Sequence, residues 1–156
     1  MASRGSAIRE TLAALGLIAS MIFVGLEIRQ NTVAARAATR QAISDVDLEY
    51  LSATLDPQTL LAAELKLESG LDLSPDEHFI LVERQHVNFR IFENAFYQNQ
   101  IGLLVDERWE TYQRIMHRRF ANDEPTQAMW AKYGAGFDAA FQRVVATIRS
   151  AEFVPQ

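Results

Sequence analysis

The first feature of the chain is a long uncharged stretch. From Thr11 to Leu26 the sequence TLAALGLIASMIFVGL carries no charge, with Arg9 and Glu10 before it and Glu27 and Arg29 after it. Its large apolar residues are Leu12, Leu15, Leu17, Ile18, Met21, Ile22, Phe23, Val24 and Leu26. They leave no polar face, the pattern of a helix in lipid or in a fully covered position. Sixteen helical residues span about 24 Å, against about 30 Å of bilayer hydrocarbon. Ile8 and Ile28 extend the run if Arg9, Glu27 and Arg29 reach toward the headgroups. A single membrane span is the leading expectation. Two others compete: a soluble helix covered by a partner or core, and a cleaved signal peptide. For the last, the nearest small-residue cleavage pattern, Ala35-Arg36-Ala37, lies far beyond the apolar run.

Helical pattern continues past Leu26. Residues 27–55 hold no Pro or Gly and are rich in Ala, the best helix former. One helix is expected over about 6–54. Its outer half shows an apolar stripe, Ile28, Ala35, Ala42, Val46 and Tyr50, and a polar stripe, Arg29, Arg36, Arg40 and Asp47. The polar stripe reads as a solvated face, or as a contact for anionic headgroups. Gly16 and Ser20 form a small-xxx-small pair, a spacing that lets membrane helices approach closely.

Start and stop signals then divide the chain. Asp56-Pro57 opens a short helix that ends before Gly70. Ser74-Pro75-Asp76-Glu77 is a capping box and opens a helix to about residue 100, ended by Gly102. Asp106 is the expected cap of a helix over 107–121. Asn122 or Asp123, with Pro125, begins another to Tyr133. Gly134 and Gly136 break it before a last helix over 137–150. No strand alternation intervenes. The fold class is therefore all-α: a long N-terminal helix, transmembrane plus stalk, followed by an antiparallel helical bundle. The expected organisation is an anchor at 1–28, an amphipathic stalk at 29–55 and a bundle domain at 56–156. Phe79, Val82, Phe89, Phe92 and Phe96 supply an aromatic wall for it. Trp109, Tyr112, Met116, Trp130, Phe137 and Phe141 are the expected partners of that wall.

Charge and composition narrow the function. The net charge is −5, with the whole acidic surplus in residues 56–156. Nucleic acid is a poor partner for such a chain, because phosphate contacts need a basic surplus. With no cysteine, thiolate zinc sites and cysteine nucleophiles are excluded. No phosphate-binding, dinucleotide or nucleophile-elbow motif occurs. No catalytic, metal or cofactor-binding residue is therefore assigned.

One helix face draws attention. At 100° per residue, Glu83, His86, Arg90, Glu93 and Asn94 share one side of the central helix, flanked by Phe79 and Tyr97. Glu83-x-x-His86 has the spacing of di-iron bundles, which require a second such motif that is absent here. A mononuclear set from His86, Glu93 and His117 has no spacing support. The expected arrangement is a polar network in which Arg90 pairs with Glu83, Glu93 or both.

Several short runs together resemble a broad set of uncharacterised bacterial proteins. These are small and helical, with one N-terminal membrane helix. The runs are Gly25-Leu-Glu-Ile-Arg-Gln-Asn-Thr32, Arg40-Gln-Ala42, Phe89-Arg-Ile-Phe-Glu-Asn94, Tyr97-Gln98, Gly102-Leu103-Leu104 and Glu107-Arg-Trp109. The similarity runs from the anchor to about Trp130. It implies a single-pass protein of the bacterial inner membrane and a shared role for the polar seam. Arg29, Arg36 and Arg40, against Arg4 and Arg9, favour a cytoplasmic C-terminal domain. The expected function is a non-catalytic interaction or scaffold module with the lipid bilayer as a partner, through self-association or a protein partner. The alternative is a ligand-binding or enzymatic helical domain that uses the polar seam.

Overall fold

A computed structural model describes residues 4–150, with side chains from Arg9 onward. The outermost ends of the expected anchor and bundle, and the side chains of Arg4 and Ile8, lie outside the described residues. The described chain is all-α, with helices α1 Arg4–Ser52, α2 Pro57–Glu68, α3 Pro75–Gln100, α4 Asp106–Asn122, α5 Glu124–Tyr133 and α6 Ala139–Arg149. A single 3-10 turn, Gly134–Gly136, joins α5 to α6. The chain forms two compact units that divide between Thr39 and Arg40, inside α1.

The first unit is the N-terminal part of α1, which is long and apolar enough to cross a membrane. The second holds the remainder of α1 and the five helices that follow. Its helix boundaries come from local chemistry. The Asp56 carboxylate accepts the Thr59 N–H at 2.7 Å and the Thr59 hydroxyl at 2.6 Å, which lowers its pKa and starts α2. At the other end Gly70 takes φ +67°, and the Leu71 N–H donates to the Lys66 carbonyl at 2.9 Å. Gly102 closes α3 in the same way, with φ +75° and the Leu103 N–H on the Gln98 carbonyl.

The capping box of α3 is complete: Ser74 Oγ accepts the Glu77 N–H, and Glu77 accepts the Ser74 N–H at 2.8 Å. Lys66 of α2 also donates to Glu77 at 2.8 Å, tying the two helices at this corner. The Lys66 ammonium and the Ser74 N–H hold the Glu77 carboxyl down at about 2.

α4 starts differently from the expectation. Val105 is its N-cap, without a side-chain bond, and Asp106 lies in the first turn. The Asp106 carboxylate is drawn to Asn99 Nδ2 at 2.9 Å, so it ties α4 to the end of α3 instead of capping its own helix. For α6, Asp138 is the cap, accepting from the Ala140 and Phe141 N–H groups.

α3 lies at the centre, packed against α2, α4 and α5. Phe89, Met116, Met129, Phe141 and Val145 are fully buried in the main core. A smaller core of Ala63, Ile80 and Leu81 seats α2 on α3. Phe79 does not join the aromatic wall. It is 53% exposed, with the Lys132 ammonium 4.9 Å from its ring centroid. Its position next to the polar seam turns it away from the core.

Within the second unit, α1 also presents an unexpected side to α3. The Arg40 guanidinium lies 4.8 Å from the Tyr97 ring centroid, and Gln41 accepts from Asn94 Nδ2 at 2.9 Å. Val46 and Tyr50 of the apolar stripe are exposed. Of the polar stripe Arg40 alone packs inward, while Arg29, Arg36 and Asp47 stay exposed, because the surface met here offers a ring face at Tyr97 for Arg40 and an amide donor at Asn94 for Gln41.

Candidate functional site

The seam predicted on the central helix exists, and most of it is buried. Glu83, His86 and Glu93 are each less than a tenth exposed, whereas Arg90, Asn94 and Tyr97 are half-buried. What covers Glu83, His86 and Glu93 is the end of α5 and its connection to α6, residues 132–138.

The upper half is built around Glu83. Its carboxylate accepts the Tyr133 hydroxyl and the Lys132 ammonium, the latter at 3.3 Å. Burial, and then the neighbouring Glu83 carboxylate, raise the Tyr133 pKa. Contact with Tyr133 and Glu83 raises that of Lys132. His86 stacks flat on Tyr133, with centroids 4.3 Å apart and planes at 10°, and meets the edge of Phe137. Its Nδ1 is 3.9 Å from Glu83, too far for a hydrogen bond, and both ring nitrogens are buried without one.

The lower half is built around Glu93. One carboxylate oxygen accepts Arg90 at 3.0 Å, and the other accepts the Asp138 N–H at 2.6 Å. Arg90 donates onward to the Gly136 carbonyl at 3.3 Å and lies 4.3 Å from the Phe137 ring centroid. The expected Arg90–Glu93 pair is present, while Glu83 is paired with α5 instead of Arg90. An added Cβ at Gly134 would lie 3.0 Å from the Trp130 indole, so a side chain at this point would require the indole to shift.

Beside the lower half lies a cleft of about 290 Å³, entirely within the second unit. Arg40, Ser44, Asp47, Arg90, Glu93 and Asp138 line it, two cations against three carboxylates. Three of these are already engaged: Arg90 and Glu93 with each other, and Asp138 with the start of α6. His117 is elsewhere, in a cleft with Phe120, Gln127 and Arg149. His86, Glu93 and His117 therefore do not converge, and no group of three His, Asp or Glu gathers as metal ligands would among the described residues. Chemically, the seam is a latch: its carboxylates and its guanidinium hold a turn in place.

Lys132, Tyr133 and Asp138 are the seam partners that sequence reasoning missed. The one signal available was the Gly134-Ala-Gly136 break directly after Lys132-Tyr133, since a helix end packed closely against an aromatic ring favours glycine, as Gly134 does against Trp130. Gln85 was missed as well. It is fully buried, and its Oε1 accepts from Arg119 of α4 at 2.6 Å. No family model, curated protein or solved structure matches the chain.

The buried imidazole makes the fold sensitive to acid. Burial, reinforced by the Arg90 charge, lowers the His86 pKa from its ordinary 6.5, against the opposing pull of Glu83. The unfolded chain therefore takes up this proton more readily than the folded one. The contribution to stability is complete above the ordinary histidine range and declines as pH falls through it. Melting of the full chain in detergent should drop between about pH 7 and pH 5, and His86→Phe, which keeps a ring on Tyr133, should flatten that slope. Equal slopes in the two proteins would remove His86 as the cause.

Proposed function

We propose that this chain is a single-pass, membrane-anchored helical module that works through protein contacts and carries out no reaction. The observation that carries the reading is the state of the uncharged run in α1. The nine large apolar side chains from Leu12 to Leu26 are between 51% and 67% exposed, on every side of the helix. Covering each is worth roughly 1.5–3 kcal/mol. Together they outweigh the marginal stability of an ordinary domain, about 5–15 kcal/mol. Such a surface calls for lipid, and the second unit has a complete core without it.

The non-catalytic part of the reading is supported by the latch. Glu83, Arg90 and Glu93, the groups best suited to acid–base or electrostatic work, are engaged with residues 132–138. In this reading the anchor lies in a bacterial inner membrane. Arg29, Arg36 and Arg40 then favour a cytoplasmic second unit.

Carbonate extraction of membranes tests the anchor, comparing the full chain with one lacking residues 1–28. The full chain should stay in the pellet and the shortened one should leave it. If both appear in the supernatant, the membrane reading is wrong.

A further inference from the structure

We infer that α1 pairs in parallel with α1 of a second copy of this chain, along one seam that runs through the apolar segment and beyond it; the inference rests on the anchored reading above for its parallel sense. Within the uncharged run and at its border the seam holds Ile18, Met21, Gly25 and Ile28. Past it come Thr32, Ala35 and Thr39. The steps alternate between three and four, a heptad repeat kept over three heptads. A straight helix drifts about 20° per heptad from such a line. Keeping the line is the mark of two helices that wind about each other.

Every position of the seam is exposed in the single chain, including Ile18, Met21 and Ile28 at 54%, 67% and 60%. None is charged, although Glu27, Arg29 and Arg36 lie in the same stretch. The two threonine hydroxyls are satisfied inside the helix: Thr32 donates to the Ile28 carbonyl at 2.8 Å and Thr39 to the Ala35 carbonyl at 3.0 Å. Pairing therefore strands no hydroxyl. Gly25, where an added Cβ would meet nothing, and Ala35 let the backbones approach closely.

Lipid does not account for this pattern. Inside the bilayer it covers all faces alike, and past the bilayer it cannot cover Ala35 and Thr39. The charges set the direction of the pair. Arg29 and Arg36 occupy the same flank of the seam; Val24 and Asn31 occupy the other. In a parallel pair, opposite flanks of the two copies meet. Each Arg29 then lies by the other copy's Val24, and each Arg36 by its Asn31, whose amide oxygen can accept from the guanidinium. An antiparallel pair would bring the guanidiniums together. Copies inserted in one bilayer with one orientation are parallel from the outset.

The chain has no native cysteine, so single cysteines report the pairing directly. Thr32→Cys, Ala35→Cys and Thr39→Cys are compared with the off-seam Gln30→Cys and Ala34→Cys, in the full chain, by mild oxidation in native membranes followed by carbonate extraction. The seam positions should form disulfide-linked dimer severalfold more than the off-seam positions. Equal or absent cross-linking in protein that stays in the carbonate pellet overturns the pairing and leaves the anchor intact. Seam-specific cross-linking in protein that leaves the pellet upholds the pairing and overturns the membrane reading.

Discussion

Phe89→Ala should cost the bundle about 3–5 kcal/mol, the usual loss for emptying a buried phenylalanine site. Phe89 is fully buried at the middle of α3. Its ring meets Phe92 and Phe120 edge-on at 5.3 and 5.4 Å and lies 5.7 Å from Trp130. It thus joins α3 to α4 and α5 at one point. No neighbour of this rigid aromatic set can readily collapse into the space, which places the cost toward the upper end. Against a total stability of about 5–15 kcal/mol, the variant should melt on the order of 10 °C or more below the parent. Tryptophan fluorescence of the full chain in detergent reads this cleanly, because of the two tryptophans of the chain Trp109 lies in the bundle core and Trp130 packs against it. Phe79→Ala is the control. That ring is more than half exposed, and its removal should cost under about 1 kcal/mol. Similar losses at both positions would mean that Phe89 is no more buried than Phe79.

Glu93→Leu should come close to the same damage by a different route. The side chain is 10% exposed, and its two oxygens serve Arg90 and the Asp138 N–H. Leucine leaves the Asp138 N–H without an acceptor and the Arg90 guanidinium with the Gly136 carbonyl but no counter-charge. Breaking a buried ion pair from one side costs about 3–5 kcal/mol. Arg90 is a quarter exposed, and water recovers part of that loss, so about 2–4 kcal/mol is expected. Glu93→Gln keeps an acceptor for the Asp138 N–H and should lose only about 1–2 kcal/mol. Adding Arg90→Met to Glu93→Leu should restore part of the stability, since no stranded charge remains. Strict additivity of the two substitutions would show that the pair does not act as a unit.

The helix starts were legible because each is a local event. Asp56-Pro57, Ser74-Pro75 with Glu77, Gly70 and Gly102 act within five residues of themselves, so the sequence around them suffices. Seam membership was also legible, because helical spacing alone places Glu83, His86, Arg90 and Glu93 on one side of α3. What covers them was not. Lys132, Tyr133 and Asp138 bond to residues 45 to 50 positions earlier, and no periodicity within α3 says which connection arrives opposite. The same reason explains α1. Its polar stripe was expected as a solvated face or a headgroup contact, yet Arg40 of that stripe meets α3, because the partner surface and not the helix's own pattern decides. Asp106 was misplaced by one turn of logic: its carboxylate suits a cap, but Asn99 competes for it.

The latch also has a consequence for synthesis. Its two halves are made far apart in time, for the turn at residues 132–138 leaves the ribosome some 45 to 50 residues after the carboxylates it bonds to. Long-range closures of this kind form late, and partly made chains are exposed to aggregation meanwhile. During that interval Glu83 and Glu93 stand in water as ordinary anions on the flank of an aromatic helix. The groups that end up sealed inside the domain thus begin as its solubilising charges.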